Sequence, residues 1–195
     1  IGFIIIDSIG QACQGEPESA DVVLRMFTAL RSLETSSLCV DHTNKANESS
    51  GSNNLFGSVY KYNQARQIFE EKKSQHEDAS KIELGLFHKK ANNSRLISPL
   101  GFSLEFGDDK IVITKKQVRD SDLEEHMRII DRIENALRNK AGGLSVAQLV
   151  EEIQKTESHI RKELSNGKAQ NRFVVLGNGN YANRSWEEDE IWQKL

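Results

Sequence analysis

The chain opens on an unbroken apolar run, Phe3 to Ile6, closed by Asp7. A run without alternation fits a strand buried on both faces, as parallel sheets require. After a loop with Gly15, Pro17 and a candidate cap at Ser19, six apolar residues recur at helical spacing: Val22, Val23, Met26, Phe27, Leu30 and Leu33. They predict an amphipathic helix. SSLCVDH predicts a second short strand, and the polar TNKANESSGSNN a loop. Phe56, Val59, Tyr60, Ile68 and Phe69 predict a helix running to about Lys73. KIELGLFH predicts a third strand, followed by polar KKANNSR. GFSLEF and KIVITK alternate apolar and polar around Gly107-Asp108-Asp109, the pattern of a hairpin. Alternating strands and helices predict an α/β fold with a mostly parallel sheet over residues 1–116.

The pattern changes over residues 117–195. HMRIIDRIENALRNK predicts a charged helix with Ile130, Ile133 and Leu137 on one stripe, stopped by Gly142-Gly143. Ser145 stands three before Gln148, a capping box, and opens a helix with Val146, Leu149, Val150 and Ile153 on one face. A turn at Gln154-Lys155-Thr156 leads to ESHIRKELS, with Ile160 and Leu164 one turn apart. RFVVLGNGNYAN then reads as strand, turn and strand, and Tyr181 and Trp186 as residues closing the core. Three helices plus a hairpin is the order of a winged helix-turn-helix.

Composition narrows the function classes. The chain has 195 residues, 37% apolar and 28% charged, with net charge −3. It is therefore not a basic nucleic-acid binder along its whole length. Between Gln154 and Arg172, however, five basic residues face two acids, and the acidic tail Glu187–Glu190 follows. That distribution suits nucleic-acid contact by one element. Two cysteines argue against a disulfide scaffold and suit a reducing, cytoplasmic setting. No apolar run approaches the ~20 residues that span a bilayer, so no membrane partner is expected. Ile1 in place of Met, with a strand beginning at once, reads as a fragment or processed product of a longer chain.

The candidate chemistry sits at predicted strand ends. An acid closing a buried parallel strand, here Asp7, lies where α/β sheets bind ligands and could hold Mg²⁺ near nucleotide phosphates. His42 follows the second strand and could touch a γ-phosphate or attacking water; beside it, Asp41 reads as an ordinary solvated acid. His88, Lys89, Lys90 and Arg95 end or follow the third strand and could meet phosphate charge. Arg66, on a predicted helix, could do the same or pair with Glu70 at i+4.

IIIDSIG, VDHTNK, FGSVYKYNQARQIFE and LFHKKANNSRLISPLGFSLEF together resemble the second half of a RecA-like P-loop ATPase core, in the RepA/DnaB-type hexameric helicase branch common in phage and plasmid replication. The resemblance covers residues 1–116. It implies that FIIID is the Walker B strand, with Asp7 the Mg²⁺-associated acid and Ser8 beside the nucleotide. It places His42 in the sensor position and Lys89 as a lysine reaching the neighbouring subunit's nucleotide, with Lys90 nearby. Ala91 stands where the simplest alignment has the accompanying arginine, so Arg95 or Arg66 would serve. ATP and Mg²⁺ are the implied cofactors, and a hexameric ring of this chain and DNA the implied partners. No G-x-x-x-x-G-K-[ST] occurs, so the phosphate cradle is expected upstream and the chain alone is expected not to turn over ATP.

The winged helix carries its own expectation. His159, Arg161 and Lys162 on its third helix, with Lys168 and Arg172 leading into the wing, are expected to contact DNA phosphates. The alternative is a protein-docking module. For the whole chain, the rival reading is a non-enzymatic DNA-binding initiator or regulator with a degenerate nucleotide scaffold.

Overall fold

β1 (Phe3–Asp7) and β2 (Ser36–Val40) pair in parallel, joined by α1 (Ile9–Ala12) and α2 (Ala20–Ser32). The computed structural model describes residues 2–17, 19–42, 59–75, 80–118 and 121–184. α2 forms where the apolar spacing predicts it. Ser19 is its N-cap residue, without a side-chain capping bond, and Val22 and Val23 are its buried anchors. α3 (Val59–Gln64) follows. The polar segment 43–54 and Phe56 lie outside the described residues.

The remaining strands do not extend the parallel pair. β3 (Gln67–Gln75), β4 (Lys81–Ala91), β5 (Leu100–Phe106) and β6 (Ile111–Lys116) form a separate four-stranded sheet in that order. β4, β5 and β6 pair antiparallel, so the expected mostly parallel sheet is not found among the described residues. The helix expected to reach Lys73 stops at Gln64, and QIFEEKKSQ is strand, with alternate residues half-buried. The hairpin around Gly107-Asp108-Asp109 forms as predicted, Phe106 lying opposite Ile111. Under the sheet, Phe87, Val118, Leu123 and Met127 make a small core. Buried Glu83 is neutralised there by Lys116. The fold is mixed α/β.

The predicted charged helix over residues 126–140 forms as the shorter α4 (Ile129–Leu137), preceded by a 3-10 turn at Asp122–His126. α5 (Val146–Ile153) opens on the predicted capping box: the Ser145 hydroxyl accepts from the Gln148 amide, and the Gln148 side chain accepts from the Ser145 amide. Gln154, in the left-handed region, turns the chain into α6 (Glu157–Ala169). β7 (Phe173–Val175) and β8 (Tyr181–Asn183) form the terminal hairpin, and Leu144 bridges to Tyr181. Ile133, Leu149, Ile160, Leu164 and Phe173 fill one core, with Tyr181 packed against it. Each such fully buried aliphatic side chain contributes roughly 1.5–3 kcal/mol. Trp186 and the acidic tail lie outside the described residues.

Contacts group the chain into two units: Ile1–Ile68 with Lys89–Leu96, and Phe69–His88 with Ile97–Leu195. This grouping does not follow the expected boundary at residue 116, because most of the antiparallel sheet goes with the C-terminal helices. No described helix is long and apolar enough to cross a membrane.

Candidate functional site

The parallel register sets Asp7 opposite Val40, so Asp7, Asp41 and His42 leave the pair at one carboxyl edge. Asp7 and His42 are exposed. The Asp7–Ser8 peptide is cis. Ser8 is buried, and its carbonyl accepts the Gln11 and Ala12 amides that begin α1.

Asp41 is not the solvated acid expected from the sequence. Its carboxylate lies 2.9 Å from Lys61 Nζ, and the two side chains are 8% and 1% exposed. A lysine this deep persists only if its charge is matched. Lys61 went unrecognised because its burial comes from α3 packing against α2 with the ammonium on Asp41, which no local pattern announces. Burial raises the pKa of both nearby thiols. At Cys13 that shift is opposed by Lys61 and reinforced by Asp41. At Cys39 it is opposed by a hydrogen bond from Ser37 and reinforced by Asp41.

Chemically, the edge presents an open carboxylate and an open imidazole beside a fixed, neutralised strand tip. Mg²⁺ in nucleotide sites is held through one or two carboxylates plus phosphate and water. Exposed Asp7 fits that role without a protein cage. Among the described residues, no group of three or more His, Cys, Asp or Glu side chains is placed to hold a metal.

The basic residues are placed differently from the sequence expectation. His88, Lys89 and Lys90 lie inside β4 rather than beyond its end. His88 is buried, stacked on Phe69 at 4.3 Å, and its Nδ1 accepts the Ile97 amide at 3.1 Å. Its other ring nitrogen is buried with no hydrogen-bond partner among the described residues, so the ring is packed rather than presented. Lys90 is no phosphate ligand here. It donates to the Tyr62, Asn63 and Ala65 carbonyls at 2.7, 3.0 and 2.8 Å and caps the C-terminus of α3. Lys89 is half-buried. Arg95 is exposed on the β4–β5 connection. Arg66 is exposed between α3 and β3, so the expected helical pairing with Glu70 does not apply.

In the helical unit, His159, Arg161, Lys162 and Lys168 are exposed on α6. Arg161 pairs with Glu157 at 2.7 Å, both side chains being well exposed, a contact of little energy. Arg172 is withdrawn from any surface role. It donates to Asp131 at 2.8 Å and through Nε to Glu134 at 2.9 Å, and its side chain is 11% exposed. Burial lowers its pKa, but the two carboxylates outweigh that and hold it above the ordinary arginine value. Asp131, 1% exposed, is also held by Arg128 at 2.6 and 2.9 Å. Comparison with family models, curated proteins and solved structures found no match to this chain.

Proposed function

We propose that this chain is the carboxyl-terminal part of a RecA-like ATPase of the replicative-helicase type, acting on DNA. The observation that carries the reading is the register of β1 and β2, which gathers Asp7, Asp41 and His42 at one carboxyl edge. Ligands of open α/β sheets bind at that edge. Asp7 would hold Mg²⁺, which neutralises developing phosphate charge when bound. His42 would hydrogen-bond the terminal phosphate or the attacking water. The buried Asp41–Lys61 pair holds the β2 tip in place without competing for the ligand. The phosphate cradle that this sequence lacks would come from another segment of the whole protein. Lys89, with Arg95 or Arg66, would reach a neighbouring subunit's nucleotide in a ring.

A second observation supports the DNA side of the reading. α4, the Leu144 bridge, α5, α6 and the β7–β8 hairpin follow the order of a winged helix. Its third helix carries His159, Arg161, Lys162 and Lys168 outward. Arg172 drops out of the contact set.

ATP turnover by the full-length protein tests the ATPase reading. Asp7→Asn is expected to lower kcat by about 100-fold or more, in line with losing metal-assisted charge stabilisation. Turnover by Asp7→Asn equal to the wild type overturns it. Turnover by the 195-residue chain alone, above an Asp7→Ala control, overturns the divided site. For the DNA role, Arg161→Ala with Lys162→Ala should flatten the salt dependence of duplex binding by about two units of slope. An unchanged slope would assign this unit to protein docking instead.

A further inference from the structure

Asn-Gly stands at two places in the sequence, Asn166-Gly167 and Asn178-Gly179. The dipeptide is chemically labile. Its backbone nitrogen can attack the preceding side-chain carbonyl through a five-membered ring, and glycine adds no Cβ to block the approach. We propose that Asn178 is a site of spontaneous deamidation, which turns the tip of the β7–β8 hairpin acidic, while the fold protects Asn166.

The reaction balances with water alone. The Gly179 amide gives its proton to solvent, and the nitrogen bonds to Cγ of Asn178. The Cγ–Nδ2 bond breaks, and the expelled nitrogen takes a proton from water and leaves as ammonia. Water then opens the succinimide at either carbonyl, giving aspartate in one case and isoaspartate in the other. Nothing is oxidised or reduced.

Local structure separates the two sites. At the tip, the Gly179 amide donates to the Leu176 carbonyl at 2.9 Å and the Leu176 amide to the Asn180 carbonyl at 2.8 Å. Gly177, Asn178 and Gly179 thus form a three-residue hairpin loop, with Gly179 in the left-handed position at φ 80°. All three residues are exposed, and a Cβ built on either glycine would meet nothing within 4 Å. The tip therefore has room to swing into the ring-closing geometry. The Asn180 amide also donates to Asn178 Oδ1 at 3.0 Å, which stabilises the charge that develops on that oxygen during attack. Asn166, by contrast, lies inside α6, and Gly167 is buried against Phe173. The Asn166 and Gly167 carbonyls accept the Gln170 and Arg172 amides at 3.0 and 2.8 Å, which fixes the peptide between them. Ring closure there must break the helix and lift Gly167 off the core. In the winged-helix reading, the new charge at residue 178 would oppose duplex phosphates; the modification itself does not rest on that reading.

Incubating the 195-residue chain for days at mildly alkaline pH tests the proposal. Proteolysis at acidic pH and mass spectrometry then follow each asparagine, with circular dichroism reporting the fold. Asn178 should deamidate about tenfold or more faster than Asn166, because only the latter needs a core helix to open. Its product should contain isoaspartate as well as aspartate. In concentrated urea the two rates should converge. Asn178→Gln, whose side chain needs a slower six-membered ring, should remove the main acidic species seen by ion exchange. An Asn178 amide that outlasts or merely matches Asn166 in the folded chain, a rate ratio unchanged by urea, or aspartate without isoaspartate overturns the proposal.

Discussion

Replacing Arg172 by alanine removes the donor that joins Asp131 to Glu134 in the helical unit. Stripping one partner from a buried ion pair costs about 3–5 kcal/mol when the other charge is left bare. Here the cost should be smaller. Asp131 keeps Arg128 on both oxygens, at 2.6 and 2.9 Å. Glu134 is 31% exposed, so water can replace the lost donor. An expected loss of about 2–3 kcal/mol follows. With a urea dependence of about 1 kcal/mol per molar for a small unit, the midpoint of the unfolding transition should fall by about 2–3 M. Far-UV circular dichroism in urea reads this directly. Duplex binding measured where the variant is still folded should keep its salt slope, unlike Arg161→Ala with Lys162→Ala. An unshifted midpoint with a reduced salt slope would return Arg172 to the DNA surface and refute the reasoning.

Lys61→Met leaves Asp41 buried and unmatched, and should cost about 3–5 kcal/mol in urea unfolding. Adding Asp41→Asn should recover most of that, and equal midpoints for the single and double variants would sink the pairing argument. Gly167→Ala would drive its Cβ into the edge of the Phe173 ring. Despite a helix-propensity gain of about 1 kcal/mol, overpacking should leave the variant about 1–3 kcal/mol less stable, and a raised melting temperature would contradict this. Raised thiol pKa values at Cys13 and Cys39 mean the native state keeps protons that the unfolded chain releases. Stability should therefore fall as pH rises from the ordinary thiol pKa through the higher native ones, and iodoacetamide at pH 8 should label both more slowly than a free thiol. Labelling at the free-thiol rate would count against their burial.

Local pattern carried the elements that local physics makes. The α2 stripe, the Ser145–Gln148 box and the hairpin at Gly107-Asp108-Asp109 are all read correctly from neighbours in sequence; the Phe3–Ile6 run is the expected strand but is not buried on both faces, since Phe3 and Ile5 are exposed. β3 was not. After Ile68 and Phe69 its residues are polar or charged, and the apolar spacing back to Val59 mimics a helix; its strand character comes from pairing with β4. At the candidate site, Asp7 and His42 were legible because they end strands. Lys61 was not, because a lysine carries no local mark of burial. Arg172 read as one more cation in a basic stretch, though its partners lie 38 and 41 residues earlier. One signal was available: Asp131 sits between Ile130 and Ile133 on a core-facing stripe, and an acid there demands a cation.

The Lys90 cap has a consequence for how the chain is made. α3 has six residues, too few to persist alone. Its terminal carbonyls are satisfied by an ammonium 25 to 28 residues further on. During synthesis, therefore, the helix cannot lock until residue 90 has emerged. Lys61 rides on that helix, so Asp41 waits with it. The strand-edge chemistry is among the last features of its unit to mature, long after the β2 residues that hold it have been translated.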